Sequence, residues 1–124
     1  MKTSAVDFVV YNVSDYKKGV SFYQDVLGLK MSSEWPGQWA EFDAGNLTLA
    51  LCVWGKNMAT DGQKGGASVA LAVDDFDATI AELKSKGIAL AEGPHESPMC
   101  HMVGITDPDG NMVLLHRRKD GSHG

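Results

Sequence analysis

An internal duplication is the feature that most restricts what this chain can become, because self-similarity at a fixed spacing reports the folding unit before any single residue does. The first half reads Val6-Asp7-Phe8-Val9-Val10-Tyr11-Asn12-Val13, then Ser14-Asp15 and a helical stretch. The second reads Ala67-Ser68-Val69-Ala70-Leu71-Ala72-Val73, then Asp74-Asp75 and another helical stretch. Each strand-like run stops at an aspartate suited to cap the helix that follows. Val20, Tyr23 and Leu27, broadened by Phe22 and Val26, give a helix over Tyr16 to Leu27 an apolar stripe, and Gly28 ends it. Phe76, Ile80 and Leu83 do the same for a helix over Phe76 to Lys86, ended by Gly87.

Each helix hands over to three strand-like runs. In the first copy these are Leu29–Met31, Trp39–Asp43 and Leu47–Val53, the last two joined by Ala44-Gly45-Asn46. In the second they are Ile88–Leu90, Cys100–Thr106 and Met112–His116, the last two joined by Asp107-Pro108-Asp109-Gly110-Asn111, which is strong turn chemistry. The expected fold is α+β: two paired βαβββ modules forming one curved mixed sheet around a cleft, with the helices on the outer face. A single domain over residues 1–124 would comprise module 1 at about 5–54, a polar glycine-rich linker at about 55–66, module 2 at about 67–117 and a tail at 118–124.

Bulk properties remove several function classes. The formal net charge of −5 leaves no basic face for nucleic acid, and the Arg117-Arg118-Lys119 run reads as a solvated tail. No run is long enough for a membrane span and no signal peptide opens the chain, so the expected location is cytoplasmic. Cys52 and Cys100 have no metal or redox spacing and read as small apolar residues of strands.

With the repeat in place, the motifs resemble those of the vicinal oxygen chelate superfamily, which includes glyoxalase I, extradiol dioxygenases, fosfomycin-inactivating transferases and bleomycin-binding resistance proteins. Val13-Ser14-Asp15 with Phe22-Tyr23-Gln24-Asp25-Val26-Leu27-Gly28-Leu29 resembles the first-module signature, and Val73-Asp74-Asp75 with Asp107-Pro108-Asp109-Gly110-Asn111 the second. The resemblance runs from about Val6 to Arg117. It implies paired βαβββ modules, a homodimer and, in the enzymes, a divalent metal held by His and Glu on the first and last strands of a module.

Carried onto this chain, those metal positions fall on Phe8, Ser68, Leu49 and Leu114. Phenylalanine and leucine offer no lone pair, and serine is a poor ligand beside imidazole or carboxylate. Slipping the alignment by one residue reaches Val9, Val69, Ala50 and Leu115, which are no better. No metal or other cofactor is therefore expected. His95, His101 and His116, with Cys100 and Glu41, are the remaining candidates for a displaced site, and strand alternation puts His116 on the face of Leu114. His123 receives no role.

Alternation assigns Phe8, Leu49, Leu51, Ser68, Ala70 and Leu114 to the cleft, an apolar floor suited to a flat guest or, alternatively, a second closed core. Trp35, Trp39 and Trp54 are candidates for a stacking wall, with Trp35 before Pro36-Gly37 on a rim able to act as a lid. Glu41 and either Cys100 or His101 could also face the cleft; His101 is favoured because cysteine suits the buried side. The expected ligand-binding set is Phe8, Trp35, Trp39, Leu49, Trp54, Ser68, His101, Leu114 and His116. Weak catalytic candidates are Glu41, His101 and His116.

Three functions remain open. The favoured one is a metal-independent binding protein of the bleomycin-resistance type that sequesters an aromatic or amphipathic small molecule as a homodimer, without turnover, the acidic charge favouring a cationic guest. The second is a glyoxalase-like or dioxygenase-like lyase or oxidoreductase with a displaced or absent metal site. The third is a protein-interaction module with a filled cleft.

Overall fold

In the computed structural model, which describes residues 2, 8–53 and 68–122, the elements follow the duplicated order. They are β1 (Phe8–Asn12), α1 (Tyr16–Ser21) continuing as a π-helical segment (Phe22–Val26), β2 (Lys30–Trp35), β3 (Trp39–Asp43), β4 (Thr48–Cys52), β5 (Val69–Ala72), α2 (Phe76–Ser85), β6 (Glu92–Glu96), β7 (Cys100–Thr106) and β8 (Met112–Arg118). Two compact units divide the chain, Met1–Gln63 and Lys64–Gly124. The expected linker at 55–66 lies outside the described residues. Among the described residues no helix is long and apolar enough to cross a membrane.

Each unit builds its own four-stranded sheet, in the order β1-β4-β3-β2 in the first and β5-β8-β7-β6 in the second. The βαβββ reading holds, but the single curved sheet does not: the strands form two separate mixed sheets, neither of them curled or closed. The reason lies within the module. The helix returns the chain so that the module's last strand slots in parallel beside its first, β4 along β1 and β8 along β5, while the remaining pairs are antiparallel. Each ladder is thereby completed locally.

The helices start where the aspartates placed them. Asp15 Oδ1 accepts from the Lys18 N–H at 3.0 Å, and Asp75 Oδ1 from the Ala78 N–H at 2.9 Å. After Ser21 the first helix widens, so that the Leu27 N–H reaches back to the Phe22 carbonyl at 3.1 Å. Phe22 and Tyr23, at the start of this widened segment, are both buried. Tyr23 has no exposed surface and packs its ring near Tyr11, Phe22 and Phe42. Helix and sheet approach most closely at Gly19, where an added Cβ would lie 3.3 Å from Leu51 and from Val13.

Two strand expectations differ from the structure: the run at Leu29–Met31 extends to Trp35 as β2, and the run at Ile88–Leu90 is displaced. Ile88–Leu90 is not a strand; the sixth strand begins at Glu92 and all five of its residues are exposed. An exposed edge strand carrying Pro94 has no apolar alternation to announce it.

One side-chain tie spans α1 and the edge strand β2: the Tyr16 hydroxyl donates to Glu34 Oε2 at 2.5 Å. Partial burial first, then the hydrogen bond and negative charge of Glu34, push the Tyr16 phenol up to about 12. A raised folded-state value means that the folded chain holds this proton more tightly than the unfolded one. The associated stability is complete below the unfolded value near 10 and is lost as pH climbs towards 12. Urea denaturation at pH 9 and pH 11.5 should show this loss in the native chain and a smaller one in Tyr16→Phe; equal losses would sink the assignment.

Candidate functional site

The strand registers decide which residues can meet a ligand. In the first unit, Tyr11, Leu49, Leu51, Ala40 and Phe42 share the face covered by the helix. Leu49 is therefore core, with no exposed surface, and not part of a ligand floor. The counting error is visible in the turns. The Ala44 N–H bonds the Leu47 carbonyl, three residues on, whereas the Asp107 N–H bonds the Asn111 carbonyl, four residues on. The first turn is one residue shorter, so the counterpart of Leu114 is Ala50.

The far face of the first sheet, turned away from its helix, carries Phe8, Val10, Ala50, Trp39, Glu41 and Trp35. Phe8 hangs from β1 and Trp39 from β3, and their rings meet edge to face at 5.9 Å across the intervening β4. Ala50, midway along β4, has no exposed surface although no helix covers it. Beside it, Glu41 Oε1 accepts the Trp39 indole N–H at 3.0 Å. Phe8, Val10 and Trp35 remain 47%, 40% and 59% exposed, an apolar patch that calls for an occupant. Trp35 faces Trp39 across a tight hairpin turn: the Gln38 N–H bonds the Trp35 carbonyl at 3.0 Å and Gly37 takes a φ of +78°. That closed turn leaves Trp35 on the rim but provides no loop long enough to serve as a lid. Trp54 lies outside the described residues.

In the second unit the helix-covered face carries His101, Val103, Ile105, Val113 and Leu115. His101 stacks on Phe76 of α2 with ring centroids 5.1 Å apart, and its Nε2 lies 3.7 Å from Glu96. The expectation that His101 shares a face with His116 is thus overturned; Cys100 takes the far face instead. The burial argument that favoured His101 failed because an imidazole can bury its ring against a phenyl while its edge reaches a carboxylate. Met102 sits between His95 and His116 in register on the far face, separating those two histidines by a full strand. Leu114 lies over Gly104, where an added Cβ would meet Leu114 Cδ2 at 3.4 Å. Ser68 is exposed immediately before β5.

Matched against family models, the chain fits the glyoxalase/bleomycin resistance protein/dioxygenase superfamily over residues 5–115. It belongs to that superfamily. Among solved structures it is similar to TnmS3, an antibiotic binding protein from Streptomyces sp. CB03234, at 28% identity and a TM-score of 0.78, covering 96% of this chain and 99% of that one. Among curated proteins it is similar to a probable lactoylglutathione lyase of Vibrio parahaemolyticus, 26% identical over 100% of this chain and 98% of that protein. A metallothiol transferase FosB of Lysinibacillus sphaericus is 27% identical over 94% of this chain and 84% of its own length.

The superfamily's enzymes imply a divalent metal, and the residues here do not fit one. The far-face positions hold Phe8, Ala50, Ser68 and Leu114, none of them a good donor. Glu41, the nearest carboxylate to Ala50, already accepts from an indole. Among the described residues no three His, Cys, Asp or Glu side chains come together. Leu114 occupies its position as a packing residue over a glycine.

Proposed function

We propose that this protein binds an aromatic or amphipathic small molecule, without a metal, on the far face of its first sheet, in the manner of the bleomycin-resistance members of the superfamily. One observation carries the reading: the position where a metalloenzyme would hold its ion is roofed by the Phe8–Trp39 ring pair over Ala50, with exposed Val10 and Trp35 alongside. Two rings at right angles offer both an edge and a face to a flat guest. Glu41 at the indole edge and the net charge of −5 favour a cationic one.

The likeness to an antibiotic binding protein along almost the whole chain supports binding rather than turnover. The unbroken family match from 5 to 115 supports a single domain made of both modules. A homodimer in the cytoplasm completes the reading.

Two measurements test it. Titration with berberine, a flat aromatic cation, should quench tryptophan fluorescence saturably. Elemental analysis of protein grown with Zn, Mn, Fe and Ni available should find no stoichiometric metal. A bound metal at one per chain, or an absence of quenching, would overturn the reading in favour of a glyoxalase-like enzyme or a filled face.

A further inference from the structure

The second unit carries a cavity of its own. It measures about 450 Å³ and lies between the Pro98-Met99-Cys100 turn and the end of β8, with His116, Arg118, Lys119 and Asp120 around it. That volume suits a small ligand. Cys100 stands opposite Arg118 in register, so the cavity opens on the far face of the second sheet, beyond Leu114.

Its chemistry is divided into two halves. Pro98 and Met99 make an apolar wall, and Met99 is 74% exposed. Arg118 and Lys119 supply two cations against the single carboxylate of Asp120. That carboxylate is turned to its own turn, its Oδ1 accepting from the Ser122 N–H at 2.8 Å and the Ser122 hydroxyl at 2.7 Å. Arg118 Nη1 donates a long 3.4 Å bond to the neutral Ser122 hydroxyl and shares the field of the Asp120 carboxylate with Arg117, but makes no direct ion pair with it, so part of its donor fork can serve an incoming acceptor. Lys119 Nζ reaches Glu96 at 3.3 Å, with both side chains solvated and ready to exchange partners. The walls are held in place. Ser97 Oγ accepts from the N–H groups of Met99 and Cys100 at 3.1 and 3.2 Å, and the Lys119 N–H bonds the Met99 carbonyl at 2.9 Å.

We propose that this cavity binds an amphipathic anion, its head on Arg118 and Lys119 and its apolar part against Met99 and Pro98. A planar oxyanion such as a carboxylate matches the guanidinium fork, and the His116 imidazole adds an N–H donor. The site belongs to the second sheet, whereas the aromatic pair belongs to the first, and it takes the opposite sign of charge.

The test uses decanoate as the probe and decyltrimethylammonium as its cationic counterpart, followed by amide chemical shifts of the full chain. Decanoate should saturate with shifts centred on Met99, Cys100, His116 and Arg118, and bind about tenfold more tightly than the cation. Arg118→Glu should weaken decanoate about tenfold or more. Arg118→Gln, which keeps the strand end polar, should weaken it less, and Lys84→Glu on α2 should leave it unchanged. The spectra report folding of each variant directly. Equal affinity for both amphiphiles, shifts centred elsewhere, or a folded Arg118 variant with native affinity would overturn the proposal.

Discussion

Replacing Trp39 with alanine is expected to weaken binding of an aromatic cation such as berberine by about 1–3 kcal/mol, roughly fivefold to 150-fold. The indole does two jobs on the far face of the first sheet. Its ring closes the edge-to-face pair with Phe8, and its N–H holds Glu41 in one orientation. Alanine removes both and uncovers Ala50. Glu41→Gln separates them: the amide oxygen still accepts from the indole, but the negative charge is gone. The substituted protein should then lose its preference for a cationic over a neutral guest while keeping most of its aromatic affinity. Isothermal titration of both variants checks this. A Trp39→Ala chain that binds berberine as the native chain does would place the site elsewhere.

The largest stability effect is expected at Tyr23. Its side chain is fully buried where the π-helical segment meets the sheet, with rings of Phe22, Phe42 and Tyr11 at 5.2, 6.0 and 6.3 Å. Tyr23→Ala should cost about 3–5 kcal/mol, the range for emptying an aromatic site that neighbours cannot refill. Urea denaturation should show it as a lower midpoint at an unchanged slope. A loss below about 1 kcal/mol would mean that the widened helix relaxes to fill the hole, contrary to the close packing expected of such a core.

Much of the fold was legible because the module writes itself twice. Asp15 and Asp75 mark both helix starts, Gly28 and Gly87 both ends, and β3 and β7 run over the predicted residues. What the sequence hid was hidden for local reasons. A π-helical turn leaves no trace in a 3.6-residue stripe, because one added residue only broadens the apolar face. β6 is polar and exposed, so periodicity could not find it. Separate sheets could not be told from one curved sheet, since both satisfy the same strand order.

The site was read less well, and both misplacements trace to parity. One residue missing from the 44–47 turn, relative to 107–111, moved Leu49 from far face to core, since a strand reverses its side chains at every step. His101 was misplaced by treating imidazole as a polar group when, stacked on Phe76, it behaves as a ring. The reading of poor metal donors did not depend on the turn count, because Ala50 is no better a ligand than Leu49. The cavity beside Arg118 had no sequence signal: its wall comes from a turn and its cations from a run that reads as a solvated tail.

The edge strands have a consequence for the protein at high concentration. β2 shifts register between Met31 and Ser33, and β6 between Glu92 and His95. A strand arriving from another molecule would find the donors and acceptors out of step beyond each bulge, and would meet Lys30 and Glu34 on one edge, Glu92 and Glu96 on the other. A protein that keeps Phe8, Val10 and Trp35 uncovered for a guest runs a standing risk of clumping. These residues stand on edge strands, Phe8 and Val10 on β1 and Trp35 on β2, so the register shift and the charges of β2 oppose strand-to-strand zipping on a margin that the sticky surface itself reaches.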